Sequence, residues 1–175
     1  GEDAIAFSSG GRFAANVELV KTKSSAASGD ASGASLEERS TPGVKTIEDL
    51  ATYLDVAAEQ CLKTLLVEAG TGVVALVLRG DHQLNEIKTA RLLGVDTPLT
   101  FASPQAVHAA TGASAGSLGP VGLQIPLYVD HGAAACVDFV CGANKTDVHL
   151  VNANWGTDLP QPASCWWPMR PISAV

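Results

Sequence analysis

The sequence predicts a mixed α+β (α/β) domain, built on a mixed and mostly antiparallel sheet surrounded by helices. Two observations carry this. Apolar residues recur at helical spacing in some segments and as short β-prone runs in others, and the two kinds alternate between about residues 41 and 162. The first two β-prone runs, Leu62 to Val67 and Val73 to Leu78, are separated only by Glu-Ala-Gly-Thr-Gly, the length of a hairpin loop.

Residues 1–21 mix polar and apolar positions, with a strand expected over Ala4 to Phe7 and a short helical stretch around Phe13 to Leu19. Residues 22–40 are rich in Ser, Ala and Gly and carry too little apolar surface to offset the entropy of ordering, so they read as a linker. The body occupies 41–162. Thr46 opens a near capping box ending at Asp49, and Ile47, Leu50, Ala51 and Leu54 then form one helical face. After the hairpin, Asn85 to Leu93 reads as a helix stopped by Gly94, and Ser103-Pro104 starts another that ends at Gly112. Ile125 to Val129 is expected as a strand, Ala133 to Val137 as a short helix and Val148 to Val151 as a strand. Residues 163–175 change composition abruptly, with adjacent Trp166 and Trp167 and a single charge.

Composition sets limits on function. The 175 residues are 46% hydrophobic and 17% charged, which excludes a wholly disordered, collagenous or coiled-coil chain. No apolar run approaches the roughly 20 residues of a membrane span, and Gly1-Glu-Asp lacks the basic start of a signal peptide. A soluble, intracellular domain is expected. With 18 acidic against 11 basic side chains the net charge is −7, which argues against an extended grip on a nucleic-acid backbone. Cys61, Cys136, Cys141 and Cys165 show no Cys-x-x-Cys spacing and the histidines no His-x-x-x-His, so no metal site is expected. Cys61, Cys136 and Cys141 sit among Ala, Val and Leu and read as small buried hydrophobes.

Four places could carry chemistry. Gly112, Gly116, Gly119 and Gly122 fall in one short run, where backbone amides can converge on an anion or an oxyanion; a plain flexible connector is the competing reading. Lys63 shares a strand face with Leu65 and Val67, so its ammonium must snorkel outward or meet an anion. Asp81 and His82 stand at a strand end, where site residues gather, although a surface turn explains the same letters. His149 lies in a strand close in sequence to Asn144, Asn152, Asn154 and Trp155, where a half-buried structural histidine is the ordinary outcome. Ser117 with Asp81 and His82 makes a triad only on paper, because no Gly-x-Ser-x-Gly elbow is present.

Five segments together resemble a known family: Thr41-Pro-Gly-Val-Lys-Thr-Ile-Glu-Asp-Leu50, Lys63-Thr-Leu-Leu-Val67, Leu78-Arg-Gly-Asp-His-Gln-Leu-Asn-Glu-Ile-Lys88, Gly116-Ser-Leu-Gly-Pro-Val121 and Asn152-Ala-Asn-Trp155. They are similar, in order, to the insertion domain of bacterial prolyl-tRNA synthetase, within the wider YbaK-like editing family. Gly1 to Phe7 and Ala14 to Glu18 resemble the segment leading out of that enzyme's class II catalytic domain, which implies an excised fragment. Beyond Pro160 the resemblance stops, and 163–175 read as an atypical tail, the product of a shifted reading frame or a cloning artefact rather than a new module.

The resemblance implies post-transfer editing, the hydrolysis of alanine mischarged on proline tRNA, because binding alone rejects a smaller amino acid poorly. It implies that Lys63 engages the terminal adenosine, that the loop from Gly116 to Pro120, including Ser117, Leu118 and Gly119, holds the ester, and that His149 lies at the amino-acid pocket. Asp81 and His82 join as substrate-binding candidates. Water attacks the ester, a ribose hydroxyl assists the proton transfer and loop amides stabilise the oxyanion, with no metal or other cofactor. ATP and Mg would belong to the synthetase body. The implied partners are the alanine-bearing acceptor end of tRNA(Pro) and the remainder of the synthetase, in the cytoplasm and away from membranes. A catalytically silent insertion that binds the acceptor end and a free-standing trans-editing deacylase are the competing readings.

Overall fold

The computed structural model describes residues 31–162 apart from Thr71 and Ser114, and outside them the strand backbones at 5–7, 14–16, 165–166 and 169–171. The outer strands are β1 (Ile5–Phe7) and β2 (Ala14–Asn16), paired antiparallel, so the helical expectation for Phe13 to Leu19 gives way to a strand at Ala14–Asn16. A short three-stranded sheet contains β3 (Glu37–Ser40), β9 (Val148–Ala153) and β8 (Phe139–Lys145) in the order β3-β9-β8, all antiparallel. Strand β3 corrects the linker reading of 22–40 at its end. All four of its residues are exposed, so it has no apolar alternation to announce it, and its place is set by backbone pairing with β9.

The larger sheet runs β10 (Cys165–Trp166), β7 (Leu127–Asp130), β5 (Gly72–Arg79) and β4 (Leu62–Ala69), in that order. The expected hairpin is there as β4 (Leu62–Ala69) and β5 (Gly72–Arg79), paired antiparallel from Leu62 opposite Arg79 to Ala69 opposite Gly72. Strand β7 (Leu127–Asp130) adds parallel to β5, which makes the sheet mixed. Central β5 is buried on both faces, as its unbroken Val-Val-Ala-Leu-Val-Leu run requires. Its Val77 faces the smaller sheet in a cluster with Leu62, Val129, Phe139, Cys141, Leu150 and Trp155, while Val74, Leu76 and Leu78 pack on the opposite face with Leu65, Leu84 and Leu93.

Helices cover the sheets. α1 (Ile47–Leu54) starts where the Thr46 hydroxyl accepts from the Asp49 amide at 3.0 Å and packs Leu50 on Cys61 and Val140. α2 (Glu86–Leu93) is capped by Asn85 and ends on Gly94 in the left-handed region. α3 (Pro104–Thr111) is capped by Ser103, and its Val107 packs against Leu66, Ala75 and Leu118. Those three helices follow the sequence reading closely, because caps and stops are local signals. The single turn α4 (His131–Ala134) begins two residues before the expected Ala133. Strand β6 (His82–Leu84) follows β5 directly and pairs with β11 (Met169–Pro171), while β10 (Cys165–Trp166) pairs parallel with β7. The Trp167 position and the side chain of Trp166 lie outside the described residues. No described helix is long and apolar enough to cross a membrane.

Candidate functional site

The two sheets are joined at one isolated parallel bridge, Cys61 with Val140. Beyond it a cavity of about 310 Å³ is walled by Leu62 to Leu65 of β4, Gly142 of β8, His149 of β9, Gly116 and Leu118 of the glycine-rich loop, and the start of α1 from Lys45 to Glu48. Three residues singled out far apart in sequence, Lys63, Gly116 and His149, therefore border the same space.

Lys63 is half-buried on the strand face that alternation assigns it, and its Nζ donates to the Gly80 carbonyl at 3.1 Å. Desolvation lowers its pKa below the usual lysine range, opposed by the charges of Glu48 and Asp81. It does not snorkel freely, and among the described residues it forms no ion pair at bonding distance: a carbonyl at the end of β5 holds it at the cavity wall.

His149 is 4% exposed, and its Nδ1 lies 2.6 Å from the Thr41 hydroxyl, itself wholly buried. Burial lowers the imidazole pKa, with Asp147 opposing, so the neutral ring is favoured. The Thr41 amide bonds the Asp147 carbonyl at 2.8 Å, which pins the first residue of the body beside the histidine. The sequence reading took Thr41 only as a motif letter; its contact with His149 spans 108 positions and leaves no local signal.

The glycine-rich loop is not a loose connector. Asn144, in the left-handed region at φ 54°, clamps it: the Asn144 side chain accepts from the Gly119 amide at 3.0 Å and donates to the carbonyls of Gly119 and Val121 at 3.0 and 2.9 Å. The loop backbone lies directly on β8, since a Cβ at Gly119 would stand 1.8 Å from the Gly142 oxygen and one at Gly142 would stand 2.3 Å from the Ser117 oxygen. Two facing glycines permit that contact. Gly116, at φ 103°, turns the loop into the cavity.

The clamp also sorts the loop's expected site residues. Gly116 and Leu118 line the cavity; the Ser117 residue is buried and its carbonyl accepts from the Asn144 amide, and the Gly119 amide is occupied by Asn144. Pro120 lines a different cavity, of about 420 Å³, with Leu127 and Trp155. Asp81 and His82 do not line the Lys63 cavity either. Asp81 takes two hydrogen bonds from Arg79, at 2.6 and 2.8 Å, and His82 Nδ1 lies 2.8 Å from the buried Asp130 carboxylate. Burial pushes the Asp81 carboxyl up, yet Arg79 and His82 outweigh it and hold the group below its ordinary range. This cluster fastens the end of β5 to β7. Likewise Asn154 bonds the Asp138 amide and carboxylate, and Trp155 Nε1 donates to the Ala133 carbonyl at 2.9 Å, so the Asn-Ala-Asn-Trp segment is structural.

Burial pushes the thiols of Cys61, Cys136 and Cys141 up to about 11, 12 and 12, where they stay protonated. As small buried hydrophobes they match the sequence reading.

Residues 41–159, well over half of the chain, match the aminoacyl-tRNA editing domain family. The chain belongs to that family. Its matched span begins at Thr41 and so contains Lys63, the clamped loop and His149. Solved structures share the editing-domain fold. One, described as a "putative trans-editing enzyme for prolyl tRNA synthetase", is 24% identical with a TM-score of 0.58, over 66% of this chain and 74% of that one. A scaffold protein from computational epitope grafting is 26% identical with a TM-score of 0.58 over the same shares. A hypothetical protein, APE2540, is 28% identical with a TM-score of 0.56, over 67% of this chain and 80% of that one. The editing domain thus has the mixed α+β fold that its sequence predicts.

Proposed function

We propose that this editing domain hydrolyses the ester of alanine mischarged on proline tRNA, acting as a domain of a prolyl-tRNA synthetase in the cytoplasm. The observation that carries the reading is the convergence of Lys63, Gly116 and His149 on one small cavity. The tRNA acceptor end enters between β4 and the start of α1. Lys63 engages the terminal adenosine, with two of its three N–H donors left after the bond to Gly80. The neutral His149, steadied by Thr41, borders the pocket for the amino-acid side chain, and a small residue is admitted where proline is not.

Water attacks the ester carbonyl, and a ribose hydroxyl of the substrate assists the proton transfer. Amides around Gly116 and Leu118 stabilise the tetrahedral oxyanion. Gly119 has no part in that, because its amide is already bonded. In this reading no cofactor takes part, and ATP with Mg serves the synthetase body. A second reading, in which the chain acts in trans as a free-standing deacylase, is supported by the structural likeness to the trans-editing enzyme.

The test is deacylation of alanyl-, prolyl- and cysteinyl-tRNA(Pro) by the native chain and by Lys63→Ala. Alanyl-tRNA is expected to be cleaved in preference to prolyl-tRNA. Loss of a charged hydrogen-bonding group in the site should slow cleavage about tenfold to a hundredfold. Equal rates would remove Lys63 from the mechanism, and acceptor-end binding without hydrolysis would make the domain a silent insertion.

A further inference from the structure

The wall of the cavity formed by β4 has an unused hydrogen-bonding edge. In the β4–β5 register, Leu66 and Glu68 turn their backbone groups away from β5: the Leu66 carbonyl accepts from Ala102 and the Glu68 amide donates to Thr100. Because peptide groups alternate along a strand, Thr64 turns its N–H and C=O the same way. Among the described residues no strand pairs with that edge between the bridges at Cys61 and Val67, so the Thr64 peptide groups face the cavity side. Its side chain repeats the pattern. Thr64 is 7% exposed, stands between Leu62 and Leu66 on the inter-sheet face, and its Oγ1 is the one buried side-chain polar atom without a hydrogen-bond partner among the described residues. A hydroxyl screened from water and unpaired is costly unless something that binds supplies the partner.

We propose that Thr64 is the subsite for the α-ammonium of the aminoacyl group, with its backbone carbonyl and Oγ1 as the two acceptors; this rests on the aminoacyl-ester reading of the cavity. An ammonium offers several donors and no acceptor, which suits an edge carbonyl beside an unpaired hydroxyl. Lys63, the neighbouring residue, points to the opposite strand face and toward Gly80, so the two residues divide the work: the adenosine end to Lys63, the amino group to Thr64.

The probes are 3′-(alanylamino)-3′-deoxyadenosine and its propionylamino counterpart, non-hydrolysable analogues that differ only by the amino group. Binding to the native chain is followed by calorimetry and by amide chemical shifts. The alanyl analogue should bind about tenfold more tightly than the propionyl one, with the Thr64 amide signal moving. Thr64→Val should erase most of that difference and Thr64→Ser keep it, while both remain folded by circular dichroism. Equal affinity of the two analogues, or an undiminished difference in Thr64→Val, overturns the subsite but leaves the aminoacyl-adenosine reading standing. If neither analogue shifts any signal, both the reading and the subsite fall.

Discussion

At the scale of single residues, the site depends on two side chains held in unusual protonation settings by burial. His149 has a pKa below its ordinary value of 6.5 because desolvation disfavours the imidazolium. The unfolded chain therefore binds more protons than the folded one below about pH 6.5, and stability falls as pH drops through that window toward the folded-state value. Thermal melts from pH 7.5 to 5 should show this decline, and His149→Asn should flatten it. A decline of the same steepness in the variant would assign the effect to other groups. Lys63 was legible in the sequence as a cation on an apolar strand face. What it bonds was not: the Gly80 carbonyl reaches it only because β4 and β5 fold back on each other. Thr41 was invisible for the same reason, since its partner stands in β9.

At the scale of elements, the loop from Gly116 to Gly119 acts through its fit on β8. Gly142→Ala would push a Cβ to 2.3 Å from the Ser117 oxygen, a clash with backbone that no rotamer relieves. A loss of about 2–3 kcal/mol is expected, read as a fall in Tm of roughly 5–15 °C, with deacylation lost as well. Asn144→Ala removes the clamp without a clash and leaves the Gly119 amide and two carbonyls to find other partners. That variant should melt within about 1–3 kcal/mol of native yet lose most of its activity, because a loop that wanders by an ångström no longer holds its amides in place. Native-like activity in Asn144→Ala would show that the clamp does not position the loop. Helices α1, α2 and α3 and the hairpin were readable because caps, stops and period are local. Strand β8 was not: Gly142 and the left-handed Asn144 break its pattern, and that irregularity is what lets the loop dock.

At the scale of the whole molecule, the net charge of −7 limits how tightly this chain alone can hold RNA. The cations lining the cavity are Lys45 and Lys63, and Glu48 lines it as well. Contact with about two phosphates predicts a slope of only about −1.5 to −2 for the logarithm of tRNA affinity against the logarithm of salt concentration, measured by fluorescence anisotropy. A slope steeper than about −4 would reveal a broad basic surface and refute the picture of a domain that reads only the acceptor end.

The sequence by itself determined the fold class, the boundaries of α1, α2 and α3, the central hairpin and the family resemblance, because each of these rests on neighbours within a few positions or on motifs read in order. Only the tertiary structure decided which candidates meet. It brought Lys63, Gly116, Leu118 and His149 around one cavity, sent Pro120 to another, and tied Asp81 and His82 into a hydrogen-bonded cluster with Arg79 and Asp130. It also disclosed Thr41 and Asn144, whose partners stand far off in sequence, and Thr64, whose hydroxyl has none among the described residues. The physical reason is the same throughout: spacing along the chain sets which way a side chain faces, and only packing sets what it faces.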